Sequence, residues 1–505
     1  MDVELGQWAP DQIAPIMAPL LLQAVGVYPR IRGYSPYRQF MQQSSLGSLA
    51  STCIGAVSGA SMAGSPFSFA ADSGHLYGYV GAGPLASLYA IAPGATSRAV
   101  YARWEDLVFE THGDDPVISV NVGTVGGPIG MPAVLSPDAS KCRAMCVVMR
   151  FLVLGNIVGQ GANAAIGTVP DGLHWSSYTD PTSWPQVGTL AARSVLSDMQ
   201  PLKGEYGKVQ ALFGGRDFGT VLQERCVVRM QYSGYDTVFD FFPVDTTRGC
   251  LIPGSTIDYG NLQFWLSNDG FVRFDGQQVT PIGFERIDKW VMADIDRQWS
   301  HRWFTGTDLS CGLAAWLYPG QGNVAGIGNR LLLYNWKLDK WTLINVNLEA
   351  LISLVPPGLS LDQMTGSLDD PAITNLDTWG QSTLQYPPQL AGFDPTHTPG
   401  IFNGSPTPGL LETGLAEPAP GFLATVHGLR PVLSGADGTA TIAIASLGKV
   451  SPLIDGAYGV ASGPNGAGMC GQRTTGRYVQ AKIQTGGNFG ILVGLDVMTQ
   501  QRGTR

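Results

Sequence analysis

The sequence predicts an all-β fold: a β-propeller-like ring of short antiparallel sheets with an extended N-terminal arm, one amphipathic helix and a long Pro-rich insertion. Three observations predict it. Short apolar runs recur at intervals of about ten residues, from "HLYGYV" and "DLVFET" through "QFWLS" and "GLAAWLYP" to "RLLLYNW" and "KWTLINV", the spacing of sandwiches, barrels and propellers. Glycine (66 residues) and proline (34) are spread without a strict period, which excludes collagen and demands many turns. A sandwich of ~100 residues cannot absorb so many strands, whereas a propeller takes roughly 40–50 residues per blade and so accommodates 505 residues in roughly six or seven blades.

The elements follow in order. Residues 1–65 read as an arm, with prolines at 10, 15, 19, 29 and 36 and then the small-residue run "SSLGSLASTCIGAVSGASMAGS". Such a stretch is poor at building its own core and is expected to lie along another surface. Residues 66–350 carry most of the strand-like runs and form the first part of the propeller. Within them, "GFERIDKWVMADIDRQWSHRWF" places Ile287, Val291, Ile295 and Trp299 four residues apart, which predicts an amphipathic helix packed on a sheet edge or a neighbouring subunit. Residues 351–415 read as a Pro-rich insertion or extension that reaches over a partner or covers the subunit's own propeller. Residues 416–505, with "TATIAIASL", "RYVQAKIQ" and "FGILVGLDVMT", are expected to close the ring beside the first blade.

Charged residues are only 14% of the chain, which suggests either a surface largely covered by neighbouring subunits or, equally, a halophobic, glycine-rich composition set by the source organism. Net charge is −9, which argues against a surface that grips DNA, because phosphate binding needs clustered Lys and Arg. It is compatible with a channel through which DNA passes without sticking. The seven cysteines, at 53, 142, 146, 226, 250, 311 and 470, contain no C-x-x-C, so reduced and mostly buried thiols are expected rather than zinc. The first thirty residues lack a basic leader and are broken by prolines, and no other segment offers a long uninterrupted apolar run, so a soluble chain made in a cytoplasm is expected.

The segment "GNLQFWLSNDGFVRFDGQQVTPIG" (Gly260–Gly283) holds two Asp-Gly pairs, Asp269–Gly270 and Asp275–Gly276. Paired carboxylates serve glycosidases only when they share one face about 5–10 Å apart. Successive turns lie at opposite ends of the strand between them, so these residues read as hairpin corners supplying φ > 0. "THGDDP", with His112, Asp114 and Asp115, reads as a turn, since a divalent metal would need further ligands from elsewhere. "DGLHWSSYTDPTSWP" sets Trp175 and Trp184 around an Asp-Pro corner, as inter-blade packing or as a stacking platform for sugar. Trp265 recurs in the same way within its strand. The expected catalytic, cofactor-binding and metal-ligating residues are none, and the structural landmarks are Asp269, Gly270, Asp275, Gly276, Trp175, Trp184 and Trp265.

The stretches "GLHWSSYTDPTSW", "GSTIDYGNLQFWLSNDGFVRFDGQQVTPIGFERIDKWV", "RLLLYNWKLDKWTLI", "LDQMTGSLDDPAITNLDTWG" and "GRYVQAKIQTGGNFGILVGLDV" together resemble the β-propeller tail nozzle, or head-to-tail stabilisation, proteins of short-tailed bacteriophages. The resemblance spans most of residues 75–500, on a pattern of turns and aromatics rather than one motif, and is weaker in the arm and in residues 120–145. It implies a structural virion protein, assembled in the host cytoplasm as a homohexameric ring around the DNA channel. It further implies contacts with the adaptor or head-to-tail connector and with tail fibres, a role in genome retention and ejection, no enzymatic activity and no cofactor. The rival expectations are a propeller-type carbohydrate-binding or depolymerising tail protein and a trimeric receptor-binding fibre.

Overall fold

The computed structural model describes residues 2–12, 20–81, 83–123, 129–234, 237–260, 262–309, 311–355, 389–435, 438–447 and 458–503. Among them, seven small antiparallel sheets follow one another around a ring, as a seven-bladed propeller. Blade one is Gly55–Ala60, Pro66–Ala71, His75–Val80 and Ala86–Ala90, and blade two is Val100–Trp104, Leu107–Thr111, Ile118–Asn121 and Ala133–Val134. Blade three runs from Lys141–Val148 through Phe151–Val158 and Thr168–Trp175 to Asp198–Pro201, and blade four from Val209–Phe213 through Phe218–Gln223 and Val227–Tyr232 to Phe239–Asp245. Blade five is Ile257–Tyr259, Leu262–Ser267, Gly270–Phe274 and Val279–Pro281, and blade six is Phe304–Asp308, Leu313–Tyr318, Gly328–Asn335 and Lys340–Leu348. The first strand of each blade faces the axis. The first strand of blade seven, Ala350–Leu354, packs against Gly55–Ala60 of blade one and so closes the circle.

Burial explains the sequence pattern. Second strands, sandwiched between neighbouring blades, are buried along most of their length, and "LAAWLY" at Leu313–Tyr318 is apolar and buried at every position. Outer strands have one dry face, as at Phe239–Asp245, where Phe239 is buried and Phe242 exposed. Between blades five and six, Phe264, Phe271, Trp316, Tyr334 and Trp341 form one aromatic core. The indole N–H of Trp316 donates to the Ser255 carbonyl at 2.8 Å and that of Trp341 to Ile282 at 3.1 Å, so neither buried ring leaves a polar group unmet.

Ring closure differs from the expectation. Blade seven consists of Ala350–Leu354, Gln389–Phe393 and Pro399–Ile401, and its outer strand is Met41–Gln42, paired as Ile401↔Met41 and Gly400↔Gln42. The N-terminal region, and not the last strands of the chain, therefore completes the ring. Within the expected 351–415 insertion, residues up to Leu354 and the strands Gln389–Phe393 and Pro399–Ile401 belong to the propeller and Gly409–Thr413 to the second body, while its prolines between 356 and 388 lie outside the described residues. The reason is pairing: an isolated three-stranded edge would leave a row of backbone groups open, and the short arm strand covers it.

Residues 416–505 build a second body instead. One sheet orders Cys470–Gly476, Ala424–Ser434, Ile491–Gln501, Tyr34–Pro36 and Val27–Pro29, with Asp2–Glu4 beside Ile491–Gln501. The other continues blade six outward from Lys340–Leu348 to Leu20–Val25, Gly409–Thr413, Tyr478–Gly486 and Thr439–Leu447. Val426, Leu429, Leu492 and Leu495 of the first sheet share a core with Ile442, Ile444, Ala481 and Ile483 of the second. The two termini thus interleave in a sandwich fused to blade six. The arm is not free: it contributes strands to both sheets, and residues 55–60 already belong to blade one.

The expected helix is shorter than its periodicity. It spans Asp288–Asp294 and stops at Ile295, whose ψ of 128° is extended. Asp296 then caps a separate 3-10 turn, Arg297–Arg302, its carboxylate accepting from the Gln298 N–H at 3.1 Å. Ile287, Val291 and Ile295 are buried in the chain's own core against blade five, so the apolar stripe serves this subunit.

Candidate functional site

The two Asp-Gly corners fall where hairpins turn. Asn268 and Asp269 connect Leu262–Ser267 to Gly270–Phe274, with Ser267 opposite Gly270. Asp275 sits at the other end of that second strand, and its Oδ1 accepts the backbone N–H groups of Gln277 (3.0 Å) and Gln278 (2.9 Å). These bonds, that of Gln278 foremost, hold its pKa below the usual carboxylate value. Gly276 takes φ +92° as such a turn requires.

Gly270 has a second role that the sequence did not announce. At φ +121°, its missing Cβ leaves space occupied by the carboxylate of Asp288, the first residue of the helix. Gly283 makes the same accommodation from the other side. Oδ1 of Asp288 accepts the Phe271 N–H at 3.0 Å, while burial pushes its pKa up to about 6. The N-terminal region reaches this place too: the Asp11 carboxylate accepts the backbone N–H groups of Lys289 and Trp290, each at 2.8 Å.

The tryptophan landmarks are packing elements. Trp175 lies in the core of blades three and four, donates to the Leu196 carbonyl at 3.0 Å and meets Phe239 edge-on at 5.2 Å. Trp184 donates to Pro181 at 2.8 Å and packs on His174 at 4.8 Å. Trp265 is buried between blades four and five, with its N–H directed at the Arg248 and Gly249 carbonyls. With all three indoles turned inward, the aromatic-platform reading has no exposed surface at these positions.

"THGDDP" forms a knot between blades two and three. Nδ1 of the buried His112 lies 3.1 Å from Glu110 Oε1, and Nε2 lies 3.2 Å from Asp115 Oδ2. Burial works against the charged ring, but Glu110 and Asp115 hold its pKa above the ordinary histidine value. Asp114 turns away to pair with Arg143 at 3.1 Å. Cys53, Cys142, Cys146, Cys226, Cys250 and Cys470 are buried free thiols, and Cys311 is half-buried.

A concavity lies on the propeller axis. A cavity of about 740 Å³ is walled by the inner strands, through residues such as Val57, Tyr101, Met145, Leu212, Thr305 and Ile352. Its charged lining is one-sided: Arg98, Arg143 and Lys208 line it with His112 and His301, and no Asp or Glu does among the described residues. Arg98 stands just before the inner strand of blade two and reaches toward blades five and six. Its guanidinium carbon is 5.3 Å from the Phe304 ring centroid, and Nη1 lies so near Gly254 that a Cβ there would come within 2.8 Å. The axis is therefore crossed by a side chain. No signal in the local sequence "GATSRAV" marks this arginine, because its surroundings come from blades far away in the chain.

No protein-family model matches the chain, and no curated protein matches it. Among solved structures it is similar to the computationally designed Ika8 protein (11% identity, TM-score 0.35, covering 72% of this chain and 99% of that one). It is also similar to a chain of the Mitotic Checkpoint Complex (9%, 0.37, 74% and 96%) and to a chain of YCF48 bound to D1 peptide (9%, 0.35, 74% and 96%).

Proposed function

We propose that the chain is a structural subunit of a bacteriophage tail nozzle, part of a homohexameric ring below the portal and adaptor that retains and then releases the genome. The observation that carries this reading is the interleaving of the two ends. Between Asp2 and Gln42 the chain enters both sheets of the sandwich and then supplies the outer strand of blade seven. Propeller and sandwich cannot separate without breaking both bodies, which suits a part under mechanical load. The five phage-like stretches of the sequence support the same reading.

In this account the subunit acts by shape and stiffness, without enzymatic chemistry or cofactor. DNA passes between subunits and not along a propeller axis, since Arg98 crosses that axis and the space beneath it is about 740 Å³. With 39 acidic and 30 basic residues, the assembly repels phosphate overall and lets the genome slide. The protein belongs to the virion tail, assembled in the host cytoplasm, with adaptor and tail fibres as neighbours. Light scattering of the purified chain tests this reading: a particle of six subunits is expected. A mass of one chain across the accessible concentration range, or of three, contradicts it.

A further inference from the structure

We propose that the axial cavity of each propeller is a binding site for a small oxyanion ligand, one bearing phosphate or carboxylate groups, with Arg98 as its anchor. The inference is independent of how subunits assemble.

Its size comes first. At about 740 Å³ the cavity falls within the range of roughly 300–1,000 Å³ that small-molecule sites occupy, and its walls are the inner strands of the blades. The charge pattern comes second. In a chain with more acidic than basic residues, three cationic side chains converge here without a described carboxylate in the wall. Two of the three have partners outside the cavity: Arg143 meets Asp114 at 3.1 Å, and Lys208 meets Glu224 at 3.8 Å.

Arg98 is the exception. It is half-buried, its Nε is withdrawn from solvent without a hydrogen-bond partner, and it makes no ion pair among the described residues. Its contacts are the Phe304 ring and the backbone around Gly254. Burial with no compensating carboxylate pushes its pKa down to about 10, still far above neutrality, so the group remains charged. A buried guanidinium is ordinarily paired, because its desolvation is otherwise uncompensated. Its planar fork matches carboxylate and phosphate oxygens in a bidentate fashion, which a lysine cannot reproduce. An oxyanion in the cavity supplies the missing partner, and Lys208, in the same lining, adds positive charge.

Isothermal titration of the purified full-length chain tests this, with inorganic pyrophosphate in one arm and citrate in the other to separate phosphate from carboxylate chemistry. Saturable binding of at least one probe, one per chain, is expected. Arg98→Gln is expected to weaken it at least about tenfold (~1.4 kcal/mol), Lys208→Gln about threefold, and exposed Lys203→Gln not at all. Binding of neither probe by the unaltered chain overturns the proposal, as does equal affinity in Arg98→Gln. If Arg98→Gln does not fold, Lys208→Gln decides, and unchanged affinity there overturns the proposal.

Discussion

Replacing Gly270 with alanine probes the junction at which blade five, the helix and the N-terminal region meet. Two separate costs can be worked out. A side chain held at φ +121° lies in a region that residues other than glycine rarely enter, a strain of about 1–3 kcal/mol. The new Cβ also collides with the Asp288 carboxylate, which must move and release the Phe271 N–H it accepts at 3.0 Å. Losing a buried bond to an ionised acceptor costs a further ~1.5–3 kcal/mol, so Gly270→Ala is expected to destabilise by about 2.5–6 kcal/mol. Gly276→Ala provides the comparison. Its φ of +92° is also strained, yet its nearest neighbour is the Phe218 ring edge at 3.1 Å, so only ~1–3 kcal/mol is expected. Urea unfolding followed by tryptophan fluorescence measures both. A double-mutant cycle with Asp288→Ala isolates the collision, with an expected coupling of about 1–2 kcal/mol. A cost for Gly270→Ala no greater than for Gly276→Ala, or no coupling to Asp288, would refute the reasoning.

Other outcomes follow from the same structure. His174 is fully buried, with Nδ1 2.9 Å from Ser140 Oγ, and burial pulls its pKa down to about 4. The unfolded chain then binds more protons than the folded one between pH 6.5 and 4. Stability is complete above pH 6.5 and falls by ~3 kcal/mol as the pH drops to 4, and His174→Asn flattens that slope in acid titrations of the melting temperature. Asp288 has the opposite sign: its pKa of about 6 lies above the unfolded value, so its contribution is present below pH 3.8 and is lost as pH rises through 6. Asp288→Asn should therefore lessen the decline of stability between pH 4 and 7, measured in the same titration. Asp11→Ala removes acceptors for Lys289 and Trp290 and should cost about 1–2 kcal/mol in urea unfolding. Deleting residues 1–42 strips blade seven of its outer strand and opens the sheet between Lys340–Leu348 and Gly409–Thr413, so aggregation is expected in size-exclusion chromatography. A monodisperse truncated chain with an unchanged melting temperature would contradict the closure described here.

What could be read from the sequence was local. "LAAWLY" is apolar throughout because both of its faces are covered, and Asp275 marks its turn because its carboxylate bonds the backbone two and three residues on. Trp175, Trp184 and Trp265 announced packing through their recurrence in or near strands. What escaped was long-range. Met41–Gln42 is a two-residue strand with no periodicity, defined only by its partner some 360 residues away at Gly400–Ile401. The closing strands of the chain have the same alternation as propeller strands, and nothing local says that they join a sandwich in which Tyr478–Gly486 pairs with Gly409–Thr413 and that strand with Leu20–Val25. The helix pattern ran past Ile295 because the apolar residues Ile295 and Trp299 continue the four-residue spacing while Asp296 caps a new turn. Arg98 gave no local signal, since its significance lies in what is missing around it.

Electron microscopy of the purified protein tests the central claim most directly. Class averages should show six propellers arranged around an open channel, with each propeller's own axis lying off the common axis. Isolated two-lobed monomers, or a ring whose channel is the propeller axis itself, would contradict it.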